Sequence, residues 1–454
     1  MKIQNDFKTK SRRGGIGTLN KFKETKMLGF SVPFFLIMVV VFIAISMTGS
    51  MLGSFVGALG FALIVGTLIG WIGDRIPVWK DWLGGGMLLA SIGTSALVMF
   101  HVIPQESADI LSDFNNNMGF LDLYILVLIT GAILSIDRKL LIRAFAGFIP
   151  AILGAVAVSA LFTAIGAIVC GVSPLEAQLN VMLPIMGGGN GAGCIPMSSM
   201  WGEVTGNDPQ EWYAPAFAVM SLGNLVSVFS AALLDRLGKK YPSITGNGVM
   251  MKGDVQVKGA EDPKDVKIGI GEYASGFALG LFLYCLADFY ASKISIINNV
   301  LNLGFSIHKF AFMVIFAAIA NGLGLIPIEI RAGARGMQQF FAKYMSFPLM
   351  VAIGAGTNLM DYVQAFTIPN LVMIVACVVG AMLGAVLIGS TFFKFYPVEI
   401  AITAGLDMAG GGGSGDVQIL GASHRMELMS FAQISSRIGG AIMLIIASVL
   451  FGMM

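Results

Sequence analysis

From Leu28 onward the chain is a succession of apolar runs. Most are near the length an α-helix needs to cross a bilayer, about 20 residues at about 1.5 Å per residue. Eleven runs are read, near 28–48, 53–73, 83–103, 119–136, 146–170, 212–234, 268–289, 308–327, 346–366, 370–393 and 429–452. In hydrocarbon every backbone polar group must be satisfied within the protein, so such runs are helices. A β-barrel would alternate apolar and polar residues over shorter segments. The fold class is therefore an all-α polytopic membrane protein. Composition agrees: 56% of the 454 residues are hydrophobic and 12% are charged, the latter about half the ~25% of a soluble domain. That excludes a soluble enzyme, a disordered chain and a nucleic-acid binder, and a net charge of +2 is too small to call for a polyanionic partner.

The basic residues alternate from loop to loop. Residues 1–26 form a polar tail with eight Lys/Arg, read as cytoplasmic rather than as a signal peptide. The loop 104–118 carries Glu106, Asp109 and Asp113 and no basic residue, whereas the loops after the second, fourth and eighth runs carry Arg75 and Lys80, then Arg138, Lys139 and Arg143, then Arg331, Arg335 and Lys343. The N-terminus is expected inside and the C-terminus outside. Cys170, Cys194, Cys285 and Cys377 lie in apolar or Gly-rich stretches with no CxxC spacing, and read as small buried hydrophobes.

Two segments fit neither span nor loop: 177–204, with LPIMGGGNGAG at 183–193, and 397–424, with AGGGGSGD at 409–416. Each is apolar enough to enter a membrane, yet breaks at a glycine run that no helix sustains, at about 1 kcal/mol per glycine against alanine. Each is expected to be a re-entrant hairpin of two half-helices. Gly187–Gly191 and Gly411–Gly415 share the pattern GGG, a small polar residue, G, and lie half a chain length apart. One isolated run would read as close helix packing; two matched runs at half-chain spacing read as the broken helices of an inverted-repeat transporter. The expected organisation is a tail 1–27, an extra span 28–52, a first repeat 53–235 with hairpin 177–204, a Lys/Asp/Gly-rich flexible linker 236–267, and a second, inverted repeat 268–454 with hairpin 397–424.

The chemistry is expected at the glycine runs. Exposed N–H groups at half-helix N-termini suit a carboxylate, and unwound carbonyls suit a hard cation such as Na⁺. The side chains of Asn190 and Ser414 can serve either. Arg437, inside the last run, must meet an anion: a substrate carboxylate, or a structural partner such as Asp407 or Glu399. Ser435 and Ser436 read equally as cation ligands or as helix back-bonders. Asp407 and Asp416 flank the second run, to bind a cation, carry a proton or cap a half-helix; capping suits Asp416 best. His101, His308 and His424 sit near span ends and read as interfacial or capping residues. Cys194, four residues beyond Asn190, is expected to sense the site. No HExxH or GxSxG occurs and no nucleophile–base or metal cluster is visible, so an enzyme is not expected; nor is a channel, which needs a pore ring.

LPIMGGGNGAG at 183–193, GGSGD at 412–416 and AQISSR at 432–437 resemble the 2-hydroxycarboxylate transporter family, which includes bacterial sodium–citrate and sodium–malate carriers. The resemblance covers nearly the whole chain and implies a dimeric elevator transporter in a bacterial inner membrane, with one domain at the dimer contact and another carrying the hairpins. It implies substrate contacts from Asn190, Gly191, Gly413, Ser414 and Arg437. It implies Na⁺ sites near Gly188 and Asn190, and near Met408, Gly410 and Ser436. The family's citrate carriers have Asn-Arg where this chain has Gly410 and Gly411, so a second arginine is missing. The expected function is Na⁺-coupled symport of a C4 2-hydroxycarboxylate, malate first. Citrate transport, proton coupling and precursor/product exchange are the alternatives. Expected partners are a small carboxylate, Na⁺, the lipid bilayer and a second copy of the chain, with no nucleic acid and no cofactor beyond the coupling ion.

Overall fold

The structure, a computed structural model, describes residues 26–76, 85–135, 138–251, 266–301, 308–360, 365–412, 414–452 and 454. In chain order the helices are α1 (Val32–Met47), α2 (Phe55–Gly73), α3 (Gly85–Met99), α4 (Gln105–Asn115), α5 (Phe120–Leu134) and α6 (Arg138–Cys170). Two half-helices follow, α7 (174–186) and α8 (190–205), then α9 (Pro209–Lys240), α10 (Ile270–Leu301), α11 (Lys309–Gly322), α12 (Ile328–Phe340), α13 (Ser346–Gly356) and α14 (Ile368–Phe393). Two more half-helices, α15 (397–406) and α16 (Ser414–Ala422), precede α17 (429–452), which opens into a wide π-turn at Ser435–Gly439. Among the described residues, α2 to α6, one pair of half-helices and α9 are followed by α10 to α14, a second pair of half-helices and α17.

Among the described residues, seven helical stretches are long and apolar enough to cross a membrane. They cover seven of the eleven expected spans. The other four expected spans are helical but shorter: α1 has 16 residues, α3 15, α11 14 and α13 11. The span expected at 346–366 stops at Gly356, where a glycine gives way to the polar Thr357–Asn358 pair.

Two segments expected as loops are helices. In 104–118, Pro104 pre-sets the start of α4, Glu106 lies in its first turn, and Ala108, Leu111 and Phe114 line one buried face at helical spacing. In the stretch after the eighth run, α12 buries Arg331, Ala332, Gly333, Ala334 and Gly336. Arg331, read as a loop cation, instead donates from Nε to the Leu134 carbonyl at 3.0 Å.

The described residues fall into two units, one within Met1–Gly119 and Ser346–Gly356, the other within Phe120–Met345 and Thr357–Met454. In the first, α13 comes from the far half of the chain to pack on α2, α3 and α4. Gly66 and Gly354 let backbones touch there, because a Cβ at either would strike the Phe347 or Ser91 carbonyl. Within the second unit the exchange is reversed: α5 leaves its sequence neighbours and packs on α10, α11 and α12. The same unit holds α6 lying along α14, both hairpins, α9 and α17.

The linker expected over 236–267 is shorter than its composition suggested. Helix α9 runs to Lys240, and 242–251 is tied down: Gly246 N and Gly248 N donate to the buried Glu399 carboxylate at 2.9 and 3.3 Å, and Tyr396 N donates to the Met250 carbonyl at 2.9 Å. Residues 252–265 of that linker lie outside the described residues.

Candidate functional site

The two glycine runs meet. Gly189 (φ +104°) and Gly412 (φ +62°) sit at the two hairpin tips, in backbone geometry that a side chain rarely adopts. A Cβ at Gly189 would strike the Gly411 carbonyl oxygen, and one at Gly412 would strike the Gly188 carbonyl oxygen. The tips are thus in backbone-to-backbone contact, although about half the chain separates them in sequence. Gly188 also presses on α17 at its π-turn, where a Cβ would collide with the Ser436 carbonyl oxygen. Half-helices α8 and α16 both begin at this meeting point, so two N-terminal dipole ends are delivered to one place. The first halves α7 and α15 end there, bringing C-terminal carbonyls, and the π-turn of α17 adds more.

Of the residues expected at the site, Asn190 starts α8, is buried, and accepts from the Tyr213 hydroxyl at Oδ1, 2.8 Å away. Gly191 faces Leu128 of α5, 2.6 Å from where its Cβ would be. Met408 and Gly410 follow α15; a Cβ at Gly439 of α17 would strike the Met408 sulfur. Ser436 donates to Asp416 Oδ2 at 3.0 Å. Arg437 donates from Nη1 to the Ser135 hydroxyl at the end of α5. Ser414 begins α16, and Gly413 lies outside the described residues.

Several expectations are corrected. Glu399 is no partner of Arg437: it is 0% exposed and accepts from Arg425 Nε at 3.0 Å, while Arg425 Nη1 donates to Asp235 at 2.8 Å. Asp407, the other partner considered, makes no side-chain hydrogen bond among the described residues. Asp416 lies in the first turn of α16, and its Oδ2 accepts from the Ser436 hydroxyl at 3.0 Å. Cys194 does not face the site. It is fully buried, with its Sγ 3.7 Å from the Pro184 carbonyl and 3.6 Å from the Met220 sulfur. The histidines do lie at helix ends: His308 Nδ1 accepts from Phe310 N at 3.2 Å and caps α11, and His101 and His424 follow helix ends with φ of 57° and 55°.

Three features escaped the sequence. Tyr213 and Asn224 are polar residues inside the apolar run 212–234, and intramembrane polar groups are the signal that points to them. Asn224 reaches hairpin 2: its Nδ2 donates to Gln418 Oε1 at 2.9 Å, and its Oδ1 accepts from Gly411 N at 3.2 Å. The third is a charge cluster where hairpin 1 ends. Lys309 Nζ lies 2.8 Å from Glu203 and 3.1 Å from Asp122. His308 Nε2 lies 3.0 Å from the same Glu203 carboxylate, so three elements meet at this cluster.

Two helical hairpins, tip to tip beside a broken helix that bears an arginine, are the arrangement with which secondary carriers receive a small anion. A model of the 2-hydroxycarboxylate transporter family matches residues 27–449, and the chain belongs to that family. Similar relatives include the citrate/sodium symporters of Salmonella typhimurium (41% identical over 398 residues, 87% of this chain and 88% of that one) and Klebsiella pneumoniae (40% over 399, 87% and 88%). The citrate/malate-proton symporter of Bacillus subtilis is 33% identical over 379 residues, covering 82% of this chain and 80% of that one. The chain is a multi-pass membrane transporter of hydroxycarboxylates.

Proposed function

We propose that this transporter is a Na⁺-coupled symporter of a C4 2-hydroxydicarboxylate, malate above all. The observation that carries the choice of substrate is at Gly411. A carboxylate leaving water for a protein interior costs several kcal/mol unless charge-assisted donors receive it. Arg437 serves one carboxylate by its guanidinium fork. The N-termini of α8 and α16, with Asn190, Gly191, Gly413 and Ser414, serve the second carboxylate and the 2-hydroxyl. A third carboxylate asks for another cation, and beside Gly411 the nearest side chain is the neutral carboxamide of Asn224.

Sodium fits the oxygen-rich surroundings. One ion is assigned to the end of α7 near Gly188 and Asn190. The other is assigned to the end of α15 near Met408 and Gly410, with Ser436 of the π-turn. Transport follows when substrate and ions together neutralise the site, so that the hairpins and their carboxylate cargo can cross the bilayer as one body. The elevator mode, the homodimer, the inverted repeats and the N-inside, C-outside orientation belong to this reading.

The names of the relatives support sodium and the carboxylate class, and favour citrate as the second reading and proton coupling as an alternative to sodium. Labelled malate uptake into proteoliposomes, with and without an inward Na⁺ gradient, tests the proposal. Uptake driven by a proton gradient alone would overturn the sodium coupling. Citrate displacing labelled malate at lower concentration than malate itself would overturn the choice of substrate.

A further inference from the structure

Asn224 of α9 ties both arms of hairpin 2. Its Oδ1 accepts from Gly411 N at the tip, 3.2 Å away, and its Nδ2 donates to Gln418 Oε1 on α16 at 2.9 Å. Gly415 leaves the carboxamide its place, because a Cβ there would come within 2.8 Å of Asn224 Oδ1. Nearly one turn further along α9, the Ser227 hydroxyl donates to the Ala409 carbonyl at 3.5 Å. Between the two anchors the chain turns through Gly412, whose carbonyl accepts from Gly415 N at 2.7 Å. The same helix reaches hairpin 1: Tyr213 bonds Asn190, the Met220 sulfur lies 3.6 Å from Cys194 Sγ, and a Cβ at Gly223 would strike Ile185 of α7. Helix α9 therefore braces both hairpins where their tips meet. A glycine turn has more backbone freedom to lose than any other, and left alone it would lose that freedom when substrate binds. A turn tied at both flanks has lost it on folding, so the interaction of its donors with substrate goes into affinity.

We infer that Asn224 is a positioning residue for substrate: one carboxamide, using its oxygen on one arm of hairpin 2 and its N–H₂ on the other, presets the turn that carries Gly413 and Ser414. The inference rests on the reading of the hairpin tips as the substrate site and deepens it. Asn224 also takes the Gly411 N–H for itself, so the donors this tip offers a carboxylate are those further along the turn. Its effect is on binding rather than on movement, because it acts within the group of helices that holds both tips. Losing it raises KM and leaves kcat.

The test is initial-rate uptake of labelled malate into proteoliposomes by wild type, Asn224→Ala, Gln418→Ala and the double variant. Asn224→Ala should raise KM about fivefold, the scale of one hydrogen bond, with kcat within about twofold of wild type. Gln418→Ala should raise KM less, and should add nothing on top of Asn224→Ala, since its partner is already gone. Fold-changes that multiply in the double variant overturn the clamp, as does a folded Asn224→Ala with the wild-type KM or with a loss confined to kcat. Hydrogen exchange on the substrate-free protein, read by mass spectrometry, needs no transport. Asn224→Ala should speed exchange in the segment 407–420 and leave 183–195 of hairpin 1 unchanged; equal exchange in 407–420 overturns the inference. Should Asn224→Ala fail to fold, Gln418→Ala decides alone: a wild-type KM together with wild-type exchange in 407–420 overturns it. A wild type that moves no malate overturns the choice of substrate instead, and the exchange experiment still reads the clamp.

Discussion

Tyr213 on α9 donates its hydroxyl hydrogen to Asn190 Oδ1 at the tip of hairpin 1, 2.8 Å away. That bond takes one lone pair of the amide oxygen and fixes the side chain's orientation, leaving its N–H₂ donors and the second lone pair for the site. A carboxamide held in this way presents its N–H₂ group in a fixed direction, as a carboxylate or hydroxyl oxygen requires.

Tyr213→Phe removes that restraint with little change in packing, since the ring stacks on Phe217 either way. A neutral buried hydrogen bond contributes about 1 kcal/mol, roughly fivefold in an equilibrium constant. The variant should raise the KM for malate several-fold with little effect on kcat, and should narrow the preference for malate over succinate, which lacks the 2-hydroxyl. Initial-rate uptake in proteoliposomes measures both. An unchanged malate-to-succinate ratio would mean that Asn190 is oriented by something else.

The glycine runs, the apolar runs and Arg437 were legible because each is a local departure from helix chemistry: a residue that breaks a helix or that hydrocarbon rejects. What the runs could not reveal is which partners they meet. Tyr213 pairs across 23 residues, Asn224 across 194 to Gln418, and Arg425 across 190 to Asp235. Such pairs leave no local period to read. Hydropathy also misplaced α4 and α12, whose polar faces look like loops until one sees that their small and apolar residues share a side. Helix α12 goes further and buries Arg331, which no loop-charge rule anticipates.

Arg425 holds two buried carboxylates at once, Glu399 at 3.0 Å and Asp235 at 2.8 Å. Removing one partner of a buried pair leaves uncompensated charge, which costs about 3–5 kcal/mol. Arg425→Ala should therefore lower the Tm sharply and reduce the yield of folded transporter. Glu399→Gln, which can still accept from Thr245, should cost less. Thermal unfolding in detergent, followed by size exclusion, ranks the two; equal Tm values would show that the cluster is not charge-limited.

Arg437→Lys keeps the positive charge on α17 but loses the fork that meets a carboxylate with two parallel bonds. A lysine amine can still donate to Ser135, so the fold should survive. Malate uptake should fall at least tenfold while the monodisperse peak and Tm stay near wild type. Loss of the folded peak would instead assign Arg437 to structure, alongside Arg425.

Gly411→Arg asks whether one missing cation sets the substrate. The backbone there tolerates a side chain: Gly411 is not among the glycines with positive φ, and a Cβ would have nothing nearer than Asn224 at 3.8 Å, ordinary van der Waals distance. That separates it from Gly412 beside it, where a Cβ would strike the Gly188 carbonyl oxygen. The arginine would enter next to the Asn224 carboxamide, which accepts from Gly411 N at 3.2 Å, and would bring a fork of donors to the place where a third carboxylate must be received. The substitution should shift the ratio of citrate to malate inhibition constants at least tenfold toward citrate, about 1.4 kcal/mol and within reach of one charge-assisted hydrogen bond. Competition against labelled malate in the variant and in wild type measures the ratio. A folded, active Gly411→Arg transporter with the wild-type ratio would show that the third carboxylate is received elsewhere, and the choice of malate over citrate would lose its basis.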